Sequence, residues 1–388
     1  LLRPADLHSG ISDPDLYGKV PSYWTSYHDD KVKTEPMGYA TYRLKVVLPP
    51  GFRKSLGFSM PVFDSSYDLY INGKYLGGNG IPGKTEIDTE PWYERKFFSY
   101  DTDSDTLSIL INVSNFSHRR GGFWLPVEMG NFEYLQKRFS ASFAKDWAIV
   151  SLLSGFSLLF LFFFIIYPKD RLIEFFSLAL FGLALRPLFT SNFLILSFTN
   201  LRWEWIVRFE YLLLYLVIIS WYWYTVYLYP SKLFRILAWI ITLMLLCASL
   251  LTSVLPVKVF SYSTFLCYPA LALMIIYTLV QNVTGIIRKN RADYIYFTAF
   301  ILLSFGAIHD VIVSLGKQLS YPGYILSSIL VLFVFIQAVM LLYKWVNAYS
   351  EKEKLQSELE YMNRNLGILV EERTQEINKR KEEIEKQN

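Results

Sequence analysis

The sequence predicts a multi-domain membrane protein: an N-terminal all-β jelly-roll sandwich, a seven-helix transmembrane bundle and a C-terminal helix that pairs as a parallel coiled coil. Three observations predict it. Seven apolar segments follow one another from Trp147 to Lys344 with only short polar joints. Before them, period-two alternation is punctuated by Gly, Pro, Asn and Asp, the signature of short strands. After them, a charged tail carries apolar residues in alternating steps of four and three. The domains are accordingly 1–140, 141–344 and 345–388. Of the 388 residues, 53% are hydrophobic and 18% aromatic, too apolar for an ordinary soluble protein. The net charge of +4 is small, and its cations sit at the flanks of the apolar segments and in the tail. It therefore gives no reason to expect a nucleic-acid partner.

In the first domain the clearer strands are Tyr39 to Leu48, Lys54 to Val62, Tyr67 to Ile71, Lys74 to Leu76, Arg95 to Tyr100 and Leu107 to Val113. Asn72-Gly73 is the two-residue hairpin signal between the third and fourth. Many short strands at this spacing make a sandwich or jelly roll. The chain opens at Leu1 without a basic, then apolar, leader. A large domain placed outside a membrane needs a signal peptide, so one is expected to have been removed or omitted.

Ligand-binding candidates in this domain centre on NFSHRRGGFW, with His118, Arg119, Arg120 and Trp124 around the pair Gly121-Gly122. Arginine offers a planar fork of donors for carboxylates or vicinal hydroxyls, and tryptophan a flat face for a sugar ring. A second reading has the same loop satisfying buried carbonyls and anchoring the domain on the bundle or bilayer. Trp24 and Asp68 are further candidates, although a lone Trp in a β domain is more often core. No pair of carboxyls can be singled out for glycosidase chemistry. Asn112-Val113-Ser114 and Asn115-Phe116-Ser117 match the glycosylation pattern, which means little if the chain is bacterial. Cys247 and Cys267 both fall in or beside apolar segments, which leaves no disulfide within the first domain.

The stretches YRLKVVLP, YDLYINGKYLG and LSILINVSNFSHRRGGFW resemble the galactose-binding-like jelly roll that also heads many glycoside hydrolases. In its order of parts, nearly the whole chain resembles bacterial seven-transmembrane receptors with diverse intracellular signalling modules. The order is more specific than any one motif, since Asn-Gly turns occur in any hairpin. The resemblance implies that the first domain is a binding module and the whole a receptor.

A helix needs about 20 apolar residues to cross a hydrocarbon core of roughly 30 Å. The seven segments are Trp147 to Tyr167, Leu172 to Thr190, Trp203 to Tyr229, Ile236 to Val254, Phe265 to Ile287, Tyr294 to Leu315 and Tyr324 to Tyr343. Alternate joints carry Lys169 and Arg171, Lys232 and Arg235, then Arg288, Lys289 and Arg291, with Lys344, Lys352 and Lys354 after the last segment. The other joints offer Arg202, Lys258 and Lys317. By the positive-inside rule the N-terminus is outside and the C-terminus cytoplasmic, and the resemblance implies that the membrane is a bacterial inner membrane. Trp203, Trp205 and Tyr211 mark one interface, and Trp221, Tyr222, Trp223, Tyr224 and Tyr227 lie toward the other.

Charges inside spans are costly and mark candidate sites. Arg186, Arg208, Glu210, His309 and Asp310 all lie in the outer third, and the spacing suggests one polar cluster that couples the first domain to the helices. A static network that fixes helix register fits equally well. No lysine sits centrally in a span for a retinal Schiff base, and only His309 of the four histidines lies in one, so neither cofactor nor metal is expected. No internal repeat points to a transporter.

In the tail, Leu355, Leu359, Met362, Leu366 and Leu369 form a heptad seam, which shifts phase to Val370, Ile377 and Ile384. So narrow a stripe needs a second helix, so a parallel homodimer is expected. LVEERTQEI is similar to the signalling helix that in this family precedes a kinase, cyclase or phosphatase module, expected here beyond Asn388. The expected partners are a small polar ligand such as a carbohydrate, membrane lipid, a second copy and an effector in cis. A membrane enzyme or transporter acting on glycan or lipid, a ligand-free scaffold, and a receptor whose ligand enters the bundle from the lipid are the rival readings.

Overall fold

The computed structural model describes residues 17–18, 20–27, 35–52, 54–63, 65–287, 291–314 and 325–387. Arg288, Lys289, Leu315, Lys317 and Tyr324 lie outside the described residues, as do the side chains of Arg291, Lys344 and Ile384. The chain divides into two compact units, Leu1–Phe333 and Val334–Asn388.

Among the described residues the first unit opens with seven strands: β1 (Gly38–Val47), β2 (Ser55–Met60), β3 (Ser66–Ile71), β4 (Lys74–Asn79), β5 (Lys96–Asp101), β6 (Thr106–Asn115) and β7 (Glu128–Gly130). They form two antiparallel sheets, one ordered β1-β6-β3-β4 and the other β5-β2-β7. Alternation decides what each strand buries. Tyr67, Leu69 and Ile71 of β3, and Leu107, Ile109, Ile111 and Val113 of β6, meet Leu56, Phe58 and Met60 of β2 in one core. Each such side chain contributes about 2 kcal/mol by leaving water. Asn72 (φ 48°) and Gly73 (φ 78°) make the β3–β4 turn with both central residues left-handed, the geometry that matches strand twist. The short β7 was not evident in the sequence.

On the far side of β2, Gly57 lies under the start of α1 (Phe132–Ile166). A Cβ at Gly57 would stand 2.5 Å from the Phe132 Cα, so only glycine admits this approach. The Asn131 side chain caps the helix by accepting the Tyr134 N–H at 2.9 Å. Phe97 of β5 packs on Phe139 with ring centroids 5.2 Å apart. Helix α1 therefore starts well before the apolar segment at Trp147, because its first turns bury a face against the sheet.

The remaining helices are α2 (Arg171–Phe189), α3 (Trp203–Leu228), α4 (Lys232–Val254), α5 (Val257–Phe260), α6 (Thr264–Ile287), α7 (Arg291–Ser314) and α8 (Leu326–Gln387). As far as their residues are described, the first apolar segment falls on α1 and the other six on α2, α3, α4, α6, α7 and α8. Among the described residues, five stretches are long and apolar enough to cross a membrane: Phe132–Ile166, Arg171–Phe189, Trp203–Leu228, Lys232–Val254 and Val257–Ile287. Helices α7 and α8 hold shorter apolar stretches, Phe297–Val313 and Leu326–Met340. Leu158, Phe162, Leu243 and Leu250 are exposed on α1 and α4, which in water would be an inverted surface and in lipid is the expected one. The protein is a multi-pass membrane protein. Trp221, Tyr222 and Tyr224, expected near an interface, are buried between helices.

The second unit, Val334–Asn388, continues α8. Leu355, Leu359, Met362, Leu366, Leu369, Val370 and Ile377 are all exposed along it. Arg373 and Arg380 both pair with Glu376 on its surface, at 3.1 and 2.8 Å.

Candidate functional site

The loop after β6 is shaped by Asn115. Its amide donates to the Pro36 and His118 carbonyls, each at 2.7 Å, and its Oδ1 accepts the His118 N–H at 3.1 Å. This winds the chain so that His118 turns inward and is fully buried. His118 Nδ1 accepts the Arg120 N–H at 3.2 Å, and Nε2 lies 3.4 Å from the Tyr211 hydroxyl on α3. The Tyr211 hydroxyl donates to the Ser261 carbonyl at 3.1 Å, and the Ser261 hydroxyl accepts the Arg119 N–H at 3.3 Å. The Arg119 guanidinium lies 5.0 Å over the Phe265 ring of α6, a cation–π contact. The loop is thus bonded to α3 and to the turn between α5 and α6.

Glu210 precedes Tyr211 on α3. The structure brings His118 onto the Tyr211 hydroxyl and the Arg119 backbone onto Ser261, which Tyr211 also bonds. Tyr211, expected at an interface, is 4% exposed. In an aromatic-rich span a single Tyr carries no distinguishing signal, and Ser261 carries even less.

Other candidates lie elsewhere. Trp24 belongs to the sandwich core, and its indole N–H donates to the Tyr42 hydroxyl at 2.5 Å. Burial pushes the Tyr42 hydroxyl well above its ordinary value, so it stays a neutral partner. Gly121 and Gly122 approach this tryptophan, since a Cβ at Gly122 would stand 2.6 Å from the indole. Arg120 stacks on Trp124 at 4.8 Å. Asp68 points to the opposite face of its sheet from Tyr67 and accepts the Tyr75 hydroxyl at 3.2 Å.

Within the helices, the charges form two groups. Arg208 donates to the Thr252 carbonyl and lies over Trp205 and Phe260 at 5.7 and 5.3 Å. On α7, His309 Nδ1 lies 3.1 Å from Asp310 Oδ1, and Asp310 accepts the N–H groups of Ile325 and Leu326 at 2.9 and 3.2 Å. Arg186 lies in the last turn of α2. Its Nε is buried with no hydrogen-bond partner among the described residues.

Two further contacts join sandwich and bundle. Tyr93 packs on Phe193 and Trp203, at 4.5 and 5.8 Å between centroids, and Lys258 pairs with Glu86 at 2.6 Å. The second is exposed and worth at most about 1 kcal/mol. From Tyr211 a file of tyrosines runs down one face of α3. Tyr215 bonds Thr252 at 3.2 Å and also Ser263, Tyr222 donates to the Ala270 carbonyl at 2.6 Å, and Tyr229 donates to Asn282 at 3.1 Å. No group of three or more potential metal ligands occurs among the described residues.

Residues 146–344 match the family model described as 7TM diverse intracellular signalling. Comparison with curated proteins finds no match. Among solved structures, a β-glucuronidase of Ruminococcus gnavus is 13% identical over 31% of this chain and 23% of that one, with a TM-score of 0.25. A GH2 β-galacturonidase of Eisenbergiella tayi bound to galacturonate is 14% identical over 31% of this chain and 21% of that one, with a TM-score of 0.23. This chain spans less than a quarter of either protein's length.

Proposed function

The chain belongs to the 7TM diverse intracellular signalling family, a family of transmembrane signalling receptors, and from that premise we propose that it carries a signal from its sandwich through seven spans to a cytoplasmic effector. The N-terminus is outside and the C-terminus inside. The sandwich binds a small polar ligand, a carbohydrate by preference, and α8 pairs with that of a second copy to drive a kinase, cyclase or phosphatase module in cis.

The observation that carries this reading is the bonded contact of His118 and Arg119 with Tyr211 and Ser261. It joins the β6 loop to α3 and to the turn before α6, so the loop serves the coupling role and not only that of a surface. A ligand shifts such an equilibrium only by its different affinity for two arrangements. The tyrosine file on α3 gives the α3–α6 contact a set of hydrogen bonds that can exchange partners together. At the far end, Asp310 grips the first residues of α8, and α8 passes the change to the heptad seam.

The test is disulfide crosslinking of full-length protein in membranes with cysteine at Leu355 or Met362, in a Cys247→Ser/Cys267→Ser background. The reading expects crosslinked dimer, with an efficiency that Tyr211→Phe changes. Absence of crosslinking at both positions would refute pairing, and identical patterns with and without the Tyr211 hydroxyl would refute the coupling path.

A further inference from the structure

Resting on the receptor reading, we propose that the outward face of the β1-β6-β3-β4 sheet holds a sugar-binding site centred on Asp68 and Tyr75, whose ligand is a neutral pyranose disaccharide with adjacent free hydroxyls. Strand register places its parts in two rows. Thr41, Asn112, Asp68 and Gly78 lie opposite one another across the four strands, and Arg43, Leu110, Tyr70 and Tyr75 form the next row. These positions alternate with the core residues of β3 and β6, so they share the other face.

In the middle of the two rows Asn112, Leu110 and Tyr70 are 7%, 4% and 9% exposed, while Tyr75 at one edge is 55% exposed and Arg43 at the other edge is also exposed. The Tyr75 ring stands 5.3 Å from that of Tyr70. It offers a half-open flat surface for the C–H face of a sugar.

The polar groups are poised in the sense a diol requires. Thr41 donates to Asn112 Oδ1 at 2.8 Å, which orients the amide and leaves its N–H groups with no acceptor among the described residues. Asp68 uses Oδ1 for the Tyr75 hydroxyl, and its other oxygen accepts nothing among the described residues. An acceptor and a donor side by side match two neighbouring hydroxyls, each of which both gives and receives a proton. Gly78 keeps the carboxylate open, since a Cβ there would stand 2.5 Å from Asp68 Oδ1. The carboxylate at the centre repels a sugar acid, which selects a neutral ring. Three strand spacings of about 4.8 Å separate the Arg43 and Tyr75 edges, room for two rings.

The experiment is calorimetric titration of the full chain in nanodiscs with cellobiose, maltose, lactose and xylobiose. At least one binds the unaltered protein, and Asp68→Asn and Tyr75→Ala each weaken it about tenfold or more, a loss of one charge-assisted bond or one stacked ring. The unliganded unfolding temperature of each variant is measured beside it, and Asp68→Asn, being isosteric, is expected not to lower it. No binding of any of the four sugars, or unchanged affinity in both variants, overturns the site. Crosslinking at Leu355 separates this from the receptor reading: binding lost in both variants with a sugar-insensitive tail keeps the site and sinks the receptor, and the reverse result does the opposite.

Discussion

Asp310 of α7 holds Ile325 at the start of α8: one carboxylate oxygen accepts the Ile325 N–H at 2.9 Å while the other takes that of Leu326 at 3.2 Å. A helix leaves its first N–H groups unpaired, and an anion there meets both the hydrogen-bonding need and the positive end of the dipole. Asp310→Ala is therefore expected to cost on the order of 2 kcal/mol. The cost should appear as a fall of several degrees in unfolding temperature in nanodiscs, together with altered crosslinking at Leu355. An unchanged melt would mean that the cap adds nothing to the stability of α8.

Tyr211→Phe keeps the ring and removes only the hydroxyl shared by His118 and Ser261. The loss is expected to be about 1–2 kcal/mol. Hydrogen–deuterium exchange should quicken in residues 116–122 and much less in β3 and β6. Exchange that rises uniformly across the sandwich would point to a general loss of stability and not to a released contact.

Gly57→Ala and Gly130→Ala make a matched pair. The first Cβ meets the Phe132 backbone at 2.5 Å, and the second meets nothing within 4 Å. Overpacking against backbone is expected to cost about 1–3 kcal/mol at Gly57 and near zero at Gly130. Equal melting temperatures for the two variants would contradict the close approach of α1 to β2.

Burial raises the Asp68 carboxyl above its ordinary value of 3.8, opposed by the bond from Tyr75. A carboxyl raised in the folded state binds its proton more tightly than the unfolded chain does, so its contribution to stability is full below 3.8 and is lost as pH rises through the folded value. Asp68→Asn lacks this dependence. The variant should melt higher than the unaltered protein at neutral pH, with the gap closing on acidification toward pH 3.8. A gap that widens in acid would reverse the sign of the effect.

Local rules carried the strand and turn assignments. Asn72-Gly73 announced its turn because few other pairs tolerate two left-handed residues. The unusual polarity of His118, Arg119 and Arg120 marked the loop as special, but not what it touches, since Tyr211 and Ser261 are distant in sequence and chemically ordinary in a span. Asp310 stood out as a charge in lipid, which pointed to a charged partner. Backbone N–H groups across a connection have no sequence signature, so its role as a cap could not be read. Strand β7 holds three residues, too few for any period to register.

The unbroken course of α1 has a mechanical consequence. A helix from Phe132 to Ile166 that starts wedged on Gly57 and ends as a membrane span is a stiff strut and not a tether. Any tilt of the sandwich must lever that strut within the bilayer, so force arriving at the sandwich is delivered as torque on lipid-embedded helices before any hinge can absorb it.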